Sequence, residues 1–216
     1  MVEIKFCGMT RSDDAREAAS LGARYIGVIL ANGPRTLSDD AAMKVLGAIP
    51  AGVARVGVFA ATPPHEVAER AERLGLDIVQ LHGDPDAAAV AGVRQLWSGQ
   101  VWPVVRLDSS ELHAGASDLF DVADAVVLDA RVAGKLGGTG ITLPWEELRE
   151  TVAPFRARRA KLVLAGGLRP DNVARAMQAL SPDIVDVSSG VESAVGVKDP
   201  ARMRAFRNAA LAVYTS

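Results

Sequence analysis

The chain has 216 residues, 24 basic side chains of lysine and arginine against 26 acidic ones, and a hydrophobic fraction of 49%. A formal net charge of −2 in such a composition is typical of an ordinary globular protein and gives no indication of nucleic acid or an anionic membrane surface as a partner. No uninterrupted apolar run approaches the roughly 20 residues needed to span a bilayer.

The single cysteine cannot form an internal disulfide. From Met1 the chain runs directly into a strand pattern, without the charged and apolar regions of a signal peptide. We therefore expect a cytoplasmic protein.

Short β-branched or aliphatic runs predict eight strands, which begin near Ile4, Tyr25, Val53, Ile78, Trp102, Ala125, Lys161 and Ile184. Segments with helical spacing lie between them, at 12–21, 38–48, 64–74, 86–93, 144–152, 170–180 and 199–212, with a weaker candidate at 110–119. Ser12 and Ser38 are predicted helix caps, and Pro170 is predicted to open a helix at Asp171.

Strict alternation of strands and helices favours parallel βαβ units. Eight such units at these spacings predict an α/β protein with one domain over residues 1–216, a closed (β/α)8 barrel. An open doubly wound sheet is the alternative. The barrel is favoured because no composition break divides the chain and no Gly-x-Gly-x-x-Gly follows the first strand.

In this fold the active site lies at the C-terminal ends of the strands. Polar or glycine-rich segments follow most of the predicted strands and include Cys7, Arg35, His82, Asp129, Gly166–Gly167 and Ser189–Gly190. The longest connection, RVAGKLGGTGITLP at 131–144, contains four glycines between 134 and 140. It is interpreted either as a mobile loop that closes over a ligand or as a flexible surface connector.

The chain resembles the phosphoribosylanthranilate isomerases over nearly its whole length. The matching segments are KFCGMT at 5–10, GPR at 33–35, VGVF at 56–59, VQLHG at 79–83, LDA at 128–130, GGTG at 137–140, Trp145, LAGGLRPDNV at 164–173, VDVSSGVE at 185–192 and GVKD at 196–199. The sequence departs from the family pattern at Leu143-Pro144, where Phe-Asp is usual, at Gly33, where Ser is common, and at Ala61, where Asn is common.

This resemblance implies an Amadori rearrangement without a cofactor, in which N-(5-phosphoribosyl)anthranilate becomes 1-(2-carboxyphenylamino)-1-deoxyribulose 5-phosphate in tryptophan biosynthesis. It also implies that Asp129 is the general acid and Cys7 the general base. The chemistry needs one group to protonate the ring oxygen and another to remove the C2′ proton. Taken alone, Cys7 could be an inert buried thiol and Asp129 a turn residue.

The substrate's chemistry suggests the remaining site residues. Gly166, Gly167, Ser189 and Gly190 are predicted to bind phosphate, because glycine allows main-chain N–H groups to approach its oxygens. Arg35 is predicted to bind the anthranilate carboxylate, with a solvated surface arginine as the alternative. His82 is predicted to line the pocket or to be a structural histidine. His65 and His113 are interpreted as surface residues, and no cysteine or histidine cluster has metal-ligand spacing.

Strand alternation places Lys5 on the same face as Cys7, roughly 6.5 Å below it. An ammonium inside a barrel needs a partner, and Asp186 on the neighbouring eighth strand is the candidate. We expect Lys5 to favour the Cys7 thiolate. The alternatives are that Lys5 is purely structural, or that Asp186 contacts the substrate.

Two other functions remain open at this level. One is the related isomerase of histidine biosynthesis, whose family has an Asp where this chain has Cys7. The other is a phosphosugar-binding barrel without catalysis. The sequence is compatible with either a monomer or a homodimer.

Overall fold

Eight parallel strands form a closed barrel in the computed structural model, which describes residues 1–107, 109–130 and 143–214. The barrel strands are β1 Glu3–Phe6, β2 Tyr25–Ile29, β3 Ala54–Phe59, β4 Ile78–Leu81, β5 Gln100–Leu107, β6 Ala125–Ala130, β7 Lys161–Leu164 and β8 Ile184–Val187. Each strand pairs with the next in chain order, and β8 pairs with β1 to close the barrel. The predicted (β/α)8 fold is therefore confirmed.

Helices follow the strands and cover the outside of the barrel. They are α1 Ser12–Ser20, α2 Asp39–Leu46, α3 Pro64–Arg73, α4 Ala87–Leu96, α5 Ala116–Val122, α6 Trp145–Val152, α7 Val173–Leu180 and α8 Pro200–Ala212. Two 3₁₀ helices at Ala153–Phe155 and Ser189–Val191 add to these. No helix within the described residues is long and apolar enough to cross a membrane.

Alternation along the strands divides the apolar side chains into two buried clusters. The inner cluster fills the barrel and includes Tyr25, Val56 and Trp102. The outer cluster lies between strands and helices and includes Phe6, Trp145 and Phe206.

Three local predictions are wrong. Ser12 does not cap α1, because the helix already includes Ser12, whose hydroxyl donates to the Lys44 carbonyl at 3.0 Å. Helix α7 begins at Val173, after a turn in which the Asn172 side chain accepts the Arg169 N–H at 2.7 Å, and not at Asp171. The weak candidate at 110–119 is displaced to α5, which follows Gly115 in the left-handed conformation at φ +81°. The Ser38 cap is confirmed, since its side chain accepts the Ala41 N–H at 3.3 Å.

A small antiparallel hairpin was not predicted. Its strands, β9 Glu192–Ala194 and β10 Val197–Lys198, lie between β8 and α8. The Thr10 hydroxyl donates to the Gly196 carbonyl at 2.5 Å, and the Asp14 carboxylate accepts the Lys198 N–H at 3.0 Å. These two contacts attach the hairpin to the segment that follows β1.

Candidate active site

One pocket at the C-terminal ends of the strands contains every site residue selected from the sequence. Its lining includes Cys7, Arg35, His82, Asp129, Gly166, Gly167, Asp186, Ser189 and Gly190. These residues come from six different strand ends, so the barrel itself brings them together. The structure gives their positions, and their roles in catalysis and binding stay predictions.

Cys7 lies directly after β1, where its N–H donates to the Val187 carbonyl at 2.9 Å and fixes the chain to β8. Its side chain is buried and free of any disulfide. Gly27 on β2 stands beside it, and a Cβ at Gly27 would lie 2.9 Å from the Cys7 sulfur. The absence of a side chain at Gly27 therefore makes room for the thiol.

Lys5 and Asp186 form the buried ion pair predicted from strand alternation. They are register partners across β1 and β8, and Lys5 Nζ donates to Asp186 Oδ2 at 2.7 Å. Lys5 is fully buried, and although burial lowers the pKa of its ammonium group, Asp186 and Cys7 together raise that pKa above its ordinary value. The second carboxylate oxygen, Asp186 Oδ1, is also buried and has no hydrogen-bond partner among the described residues. It is therefore an acceptor available to a ligand in the pocket.

The expectation that Lys5 favours the Cys7 thiolate is confirmed in direction, because the Lys5 cation lowers the pKa of the thiol, but Lys5 does not decide the net pKa. Burial raises the pKa of the Cys7 thiol, and this outweighs the lowering caused by Lys5. Asp186 acts in the same direction as burial because its negative charge disfavours a nearby thiolate. The neutral thiol is accordingly the main form of Cys7 at neutral pH.

Asp129 lies near the end of β6 and is almost completely buried. Burial, followed by the charge of Asp186, raises its carboxyl pKa from 3.8 to about 7. The Ala130 N–H and the Lys5 and Arg106 cations oppose this shift without cancelling it. Asp129 is therefore protonated in a large fraction of molecules at neutral pH, as a general acid must be.

His82 stands close to this carboxyl group, with Nε2 3.5 Å from Asp129 Oδ2. Burial, together with the Arg106 and Lys5 cations, lowers the pKa of His82 to about 4. The ring is then neutral at pH 7, so the contact is not an ion pair. Nε2 is buried and has no hydrogen-bond partner among the described residues, which leaves it available to a ligand.

Arg35 lines the pocket but already has a carboxylate partner, which the sequence analysis missed. Its Nε donates to Glu192 Oε1 at 2.7 Å, and its Nη2 donates to Glu192 Oε2 at 2.6 Å. Lys198 Nζ donates to the same Oε1 at 2.9 Å. Glu192 and Lys198 lie in two of the segments that resemble the family, VDVSSGVE and GVKD. The sequence analysis did not predict the hairpin that brings them to Arg35, so it gave no reason to place them at the site.

The glycines after β7 allow that loop to pack against Asp129. Gly166 and Gly167 adopt left-handed backbone conformations, with φ of +82° and +66°. A Cβ at Gly166 would lie 2.7 Å from Asp129 Oδ1. The Asn172 amide donates to the Gly167 carbonyl at 3.0 Å and fixes the orientation of this turn.

Gln80 is a further pocket residue whose role the sequence analysis did not assign. It lies on β4, two positions before His82, and only 3% of its surface is exposed. Its Oε1 is buried without a hydrogen-bond partner among the described residues. Like His82 Nε2 and Asp186 Oδ1, it is a buried polar atom in the pocket lining.

Two further predictions concern the longest connection and a metal site. The hypothesis of a mobile loop falls mostly on residues 131–142, which lie outside the described residues. In the part of the chain that the structure describes, no group of three or more His, Cys, Asp or Glu side chains is placed to hold a metal ion.

Comparisons with known proteins show which family the chain is similar to. The family model for N-(5'phosphoribosyl)anthranilate (PRA) isomerase matches residues 4–209. A relative from Pseudomonas fluorescens, an N-(5'-phosphoribosyl)anthranilate isomerase, is 38% identical over 96% of this chain and 98% of its own length. The crystal structure of phosphoribosyl anthranilate isomerase from Thermotoga maritima superimposes with a TM-score of 0.87 at 30% identity, covering 98% of this chain and 100% of that one.

A second solved structure, of a phosphoribosyl anthranilate isomerase in complex with reduced 1-(o-carboxyphenylamino)-1-deoxyribulose 5-phosphate, has a TM-score of 0.83 at 29% identity. It covers 98% of this chain and 100% of its own. With a family match over almost the entire sequence, the same closed barrel and one pocket that unites the expected strand ends, this chain belongs to the N-(5'-phosphoribosyl)anthranilate isomerase family.

Proposed function

We infer that the protein isomerises N-(5′-phosphoribosyl)anthranilate to 1-(2-carboxyphenylamino)-1-deoxyribulose 5-phosphate in tryptophan biosynthesis, with Asp129 as general acid and Cys7 as general base. The observation that carries the assignment of roles is a carboxyl group with a pKa of about 7 in the same pocket as a buried thiol. Family membership supports the reaction.

Asp129 would act first, by donating its proton to the furanose ring oxygen as the bond from that oxygen to C1′ breaks. The product of this step is an open-chain Schiff base, and Asp129 is left as a carboxylate. A carboxyl group with a pKa near 7 suits the task, because it is protonated often enough at neutral pH and still gives up its proton readily.

Cys7 would then remove the C2′ proton as a thiolate, and the electron pair of the C–H bond moves toward the Schiff base to form an enolamine. Ketonisation completes the isomerisation, as C1′ takes up a proton and the 2′-hydroxyl loses one. The raised thiol pKa makes the thiolate a minor species but a stronger base. Lys5, one layer below, favours that minor species.

The remaining pocket residues suit the groups that the substrate carries. Gly166, Gly167, Ser189 and Gly190 would bind the phosphate through main-chain N–H groups after β7 and β8. Arg35 would bind the anthranilate carboxylate, and His82 and Asp186 would bind sugar hydroxyls through their unpartnered buried atoms. The family structure with a reduced phosphoribulose ligand supports binding of a phosphorylated sugar of this size.

We further propose that the reaction uses no cofactor, because it consists of proton transfers within one substrate, with no net oxidation or reduction. We expect a cytoplasmic enzyme that acts as a monomer or homodimer. One solved relative, from Thermotoga maritima, is described as a dimeric isomerase converted to monomers, so both states are reasonable expectations for this chain.

The proposal is tested by turnover of freshly generated N-(5′-phosphoribosyl)anthranilate, followed by loss of its fluorescence. Cys7→Ser and Asp129→Asn should each lower kcat at least ~100-fold, the usual effect of losing general acid or base catalysis. Asp171→Asn, at an exposed position beside the β7 loop, is the matched control and should keep parental kcat. Near-parental kcat in either pocket variant would show that its role is wrongly assigned.

A further inference from the structure

The hairpin brings a buried group of charges to the edge of the pocket. The hairpin charge cluster consists of Arg35, Glu192 and Lys198, and each of these residues is at most 9% exposed. Arg35 comes from the segment after β2, while Glu192 and Lys198 come from β9 and β10. Only Arg35 belongs to the pocket lining, so the other two would act on a ligand through it.

Glu192 is shared between the two cations. Its Oε1 accepts from both Arg35 Nε, at 2.7 Å, and Lys198 Nζ, at 2.9 Å. Its Oε2 accepts from Arg35 Nη2 at 2.6 Å. Two cations and one anion leave the cluster with a net charge of +1. Without Lys198, the Glu192 carboxylate would neutralise Arg35 alone, and the net charge at this edge of the pocket would be zero.

One edge of the Arg35 guanidinium group is not used by Glu192 and can bind a second anion. An arginine has five N–H donors, and Glu192 occupies Nε and one position on Nη2. Among the described residues, none accepts a hydrogen bond from Arg35 Nη1. The Nη1 and Nη2 edge can therefore receive a planar carboxylate while Glu192 holds the opposite edge in place.

Lys198 also connects this cluster to the loop after β8. Its Nζ donates to the Ser188 carbonyl at 3.1 Å, directly before Ser189 and Gly190. Its main-chain N–H donates to the Asp14 carboxylate at 3.0 Å. The ammonium group is thus held by Glu192 and the Ser188 carbonyl, while Asp14 fixes the main chain that carries this buried side chain.

We propose that Lys198 is a positioning residue for Arg35. By sharing the Glu192 carboxylate, Lys198 keeps the Arg35 guanidinium group oriented and leaves it enough positive charge to bind the carboxylate of the substrate. This inference rests on the proposed role of Arg35. It goes beyond that role because it assigns the recognition of the carboxylate to a three-residue cluster built by the hairpin.

Two ligands separate this effect from a general loss of structure. One is reduced 1-(o-carboxyphenylamino)-1-deoxyribulose 5-phosphate, and the other is its counterpart made from aniline, which lacks the carboxylate. Lys198→Met should weaken binding of the first ligand about tenfold, the loss of one charge-assisted contact, and change binding of the second much less. For the reaction itself, KM should rise by a similar factor while kcat changes less.

A double-mutant cycle identifies the route of the effect. If Lys198 acts through Arg35, Lys198→Met should cause little further loss in an Arg35→Met background, whereas independent effects would add. Lys161→Met is the matched control, because Lys161 pairs with Glu3 at the other end of the barrel and should leave both affinities unchanged.

Lys198→Gln provides a second variant if the Lys198→Met protein does not fold. Its amide can still donate to Glu192 and to the Ser188 carbonyl, but it carries no charge. The same selective loss of the carboxylated ligand is expected. Equal losses for both ligands, additive losses in the cycle, or unchanged affinities would each overturn the inference.

Failure of this inference is distinguishable from failure of the proposed function. Turnover by the parent protein tests the reaction independently of Lys198. So does the expected loss of kcat in the Cys7→Ser and Asp129→Asn variants. If Arg35→Met binds both ligands as the parent does, the carboxylate role of Arg35 is wrong and the inference falls with it. If Arg35→Met loses only the carboxylated ligand while Lys198→Met loses neither, only the inference is wrong.

Discussion

The Asp129 carboxyl group links its proposed role in proton donation to a cost in stability. Its pKa rises from 3.8 to about 7 because the ionised form is buried close to Asp186. The neutral form is the better tolerated one inside the barrel. An acid suited to proton donation at neutral pH is therefore also a residue whose ionisation works against folding.

This cost predicts the pH dependence of an Asp129→Asn variant. In the parent, ionisation of Asp129 above pH 4 is easier in the unfolded chain than in the folded protein, so stability falls as pH rises toward 7. The asparagine variant avoids this loss and should gain up to roughly 4 kcal/mol in the free energy of unfolding above pH 7, and nothing below pH 4. Urea unfolding at pH 4, 6 and 8 measures the difference, and a pH-independent difference would contradict the prediction.

The thiol of Cys7 is subject to opposing charges one layer below it. Lys5 lowers its pKa and Asp186 raises it. We predict that Asp186→Asn lowers the thiol pKa, and that Lys5→Met raises it. The pH dependence of iodoacetamide labelling reports the thiolate directly, since Cys7 is the one cysteine in the chain.

The Lys161→Met variant serves as control for this experiment too, because its charge is removed at the opposite end of the barrel. Its labelling profile should overlay that of the parent. Shifts of the same sign in the Asp186 and Lys5 variants would show that the electrostatic account of Cys7 is wrong.

At the scale of elements, β2 makes room for Cys7 at the end of β1 through one glycine. Gly27 has a backbone conformation open to other residues, but a Cβ there would lie 2.9 Å from the Cys7 sulfur and 3.5 Å from Lys5 Cε. We predict that Gly27→Ala folds, displaces the sulfur and lowers kcat by about 10- to 100-fold, with a smaller change in KM. Steady-state kinetics tests this.

Gly92→Ala is a suitable control, since Gly92 lies in α4, where a new Cβ would meet the Pro64 ring at 3.1 Å, away from the pocket. It should leave kcat unchanged. A Gly27→Ala enzyme with parental kcat would mean that the space beside Cys7 is not required for catalysis.

Elements differ in how far local sequence determines them. Ser38 caps α2 because a serine before two aspartates satisfies N–H groups of the first turn through its own side chain. The start of α5 depends instead on Gly115 in a left-handed conformation, and that of α7 on the Asn172 turn. Such turns depend on single dihedral angles and contacts, which hydrophobic periodicity does not report.

At the scale of the whole molecule, the barrel closes where β1 meets β8, and the Lys5 and Asp186 pair lies at this seam. The inner and outer apolar clusters share seven of the eight strands, β2 to β8, so unfolding of one cluster would disrupt the other. We therefore propose that residues 1–216 form one domain, in agreement with the expectation from the sequence.

A single domain predicts a single calorimetric transition. Heating should give one endotherm, with near-UV and far-UV circular dichroism changing together, because the clusters around Trp102 and Trp145 unfold at the same time. Sedimentation equilibrium at the same protein concentration fixes the oligomeric state, on which the transition temperature depends. Two resolved endotherms at a fixed oligomeric state would argue for two independent units.

The sequence by itself determined the eight strands, the barrel and the residues that gather in the pocket. These follow from local periodicity and from the rule that the strand ends of a barrel meet at one rim. The Lys5 and Asp186 pair also follows, from the alternation of side chains along a strand and from the closure of the barrel between β8 and β1. Tertiary structure alone decided the net pKa of Cys7, the carboxyl pKa of Asp129 and the pairing of Arg35 with Glu192. The physical reason is that burial and the charges of residues distant in sequence set these properties, and both exist only once the chain has folded.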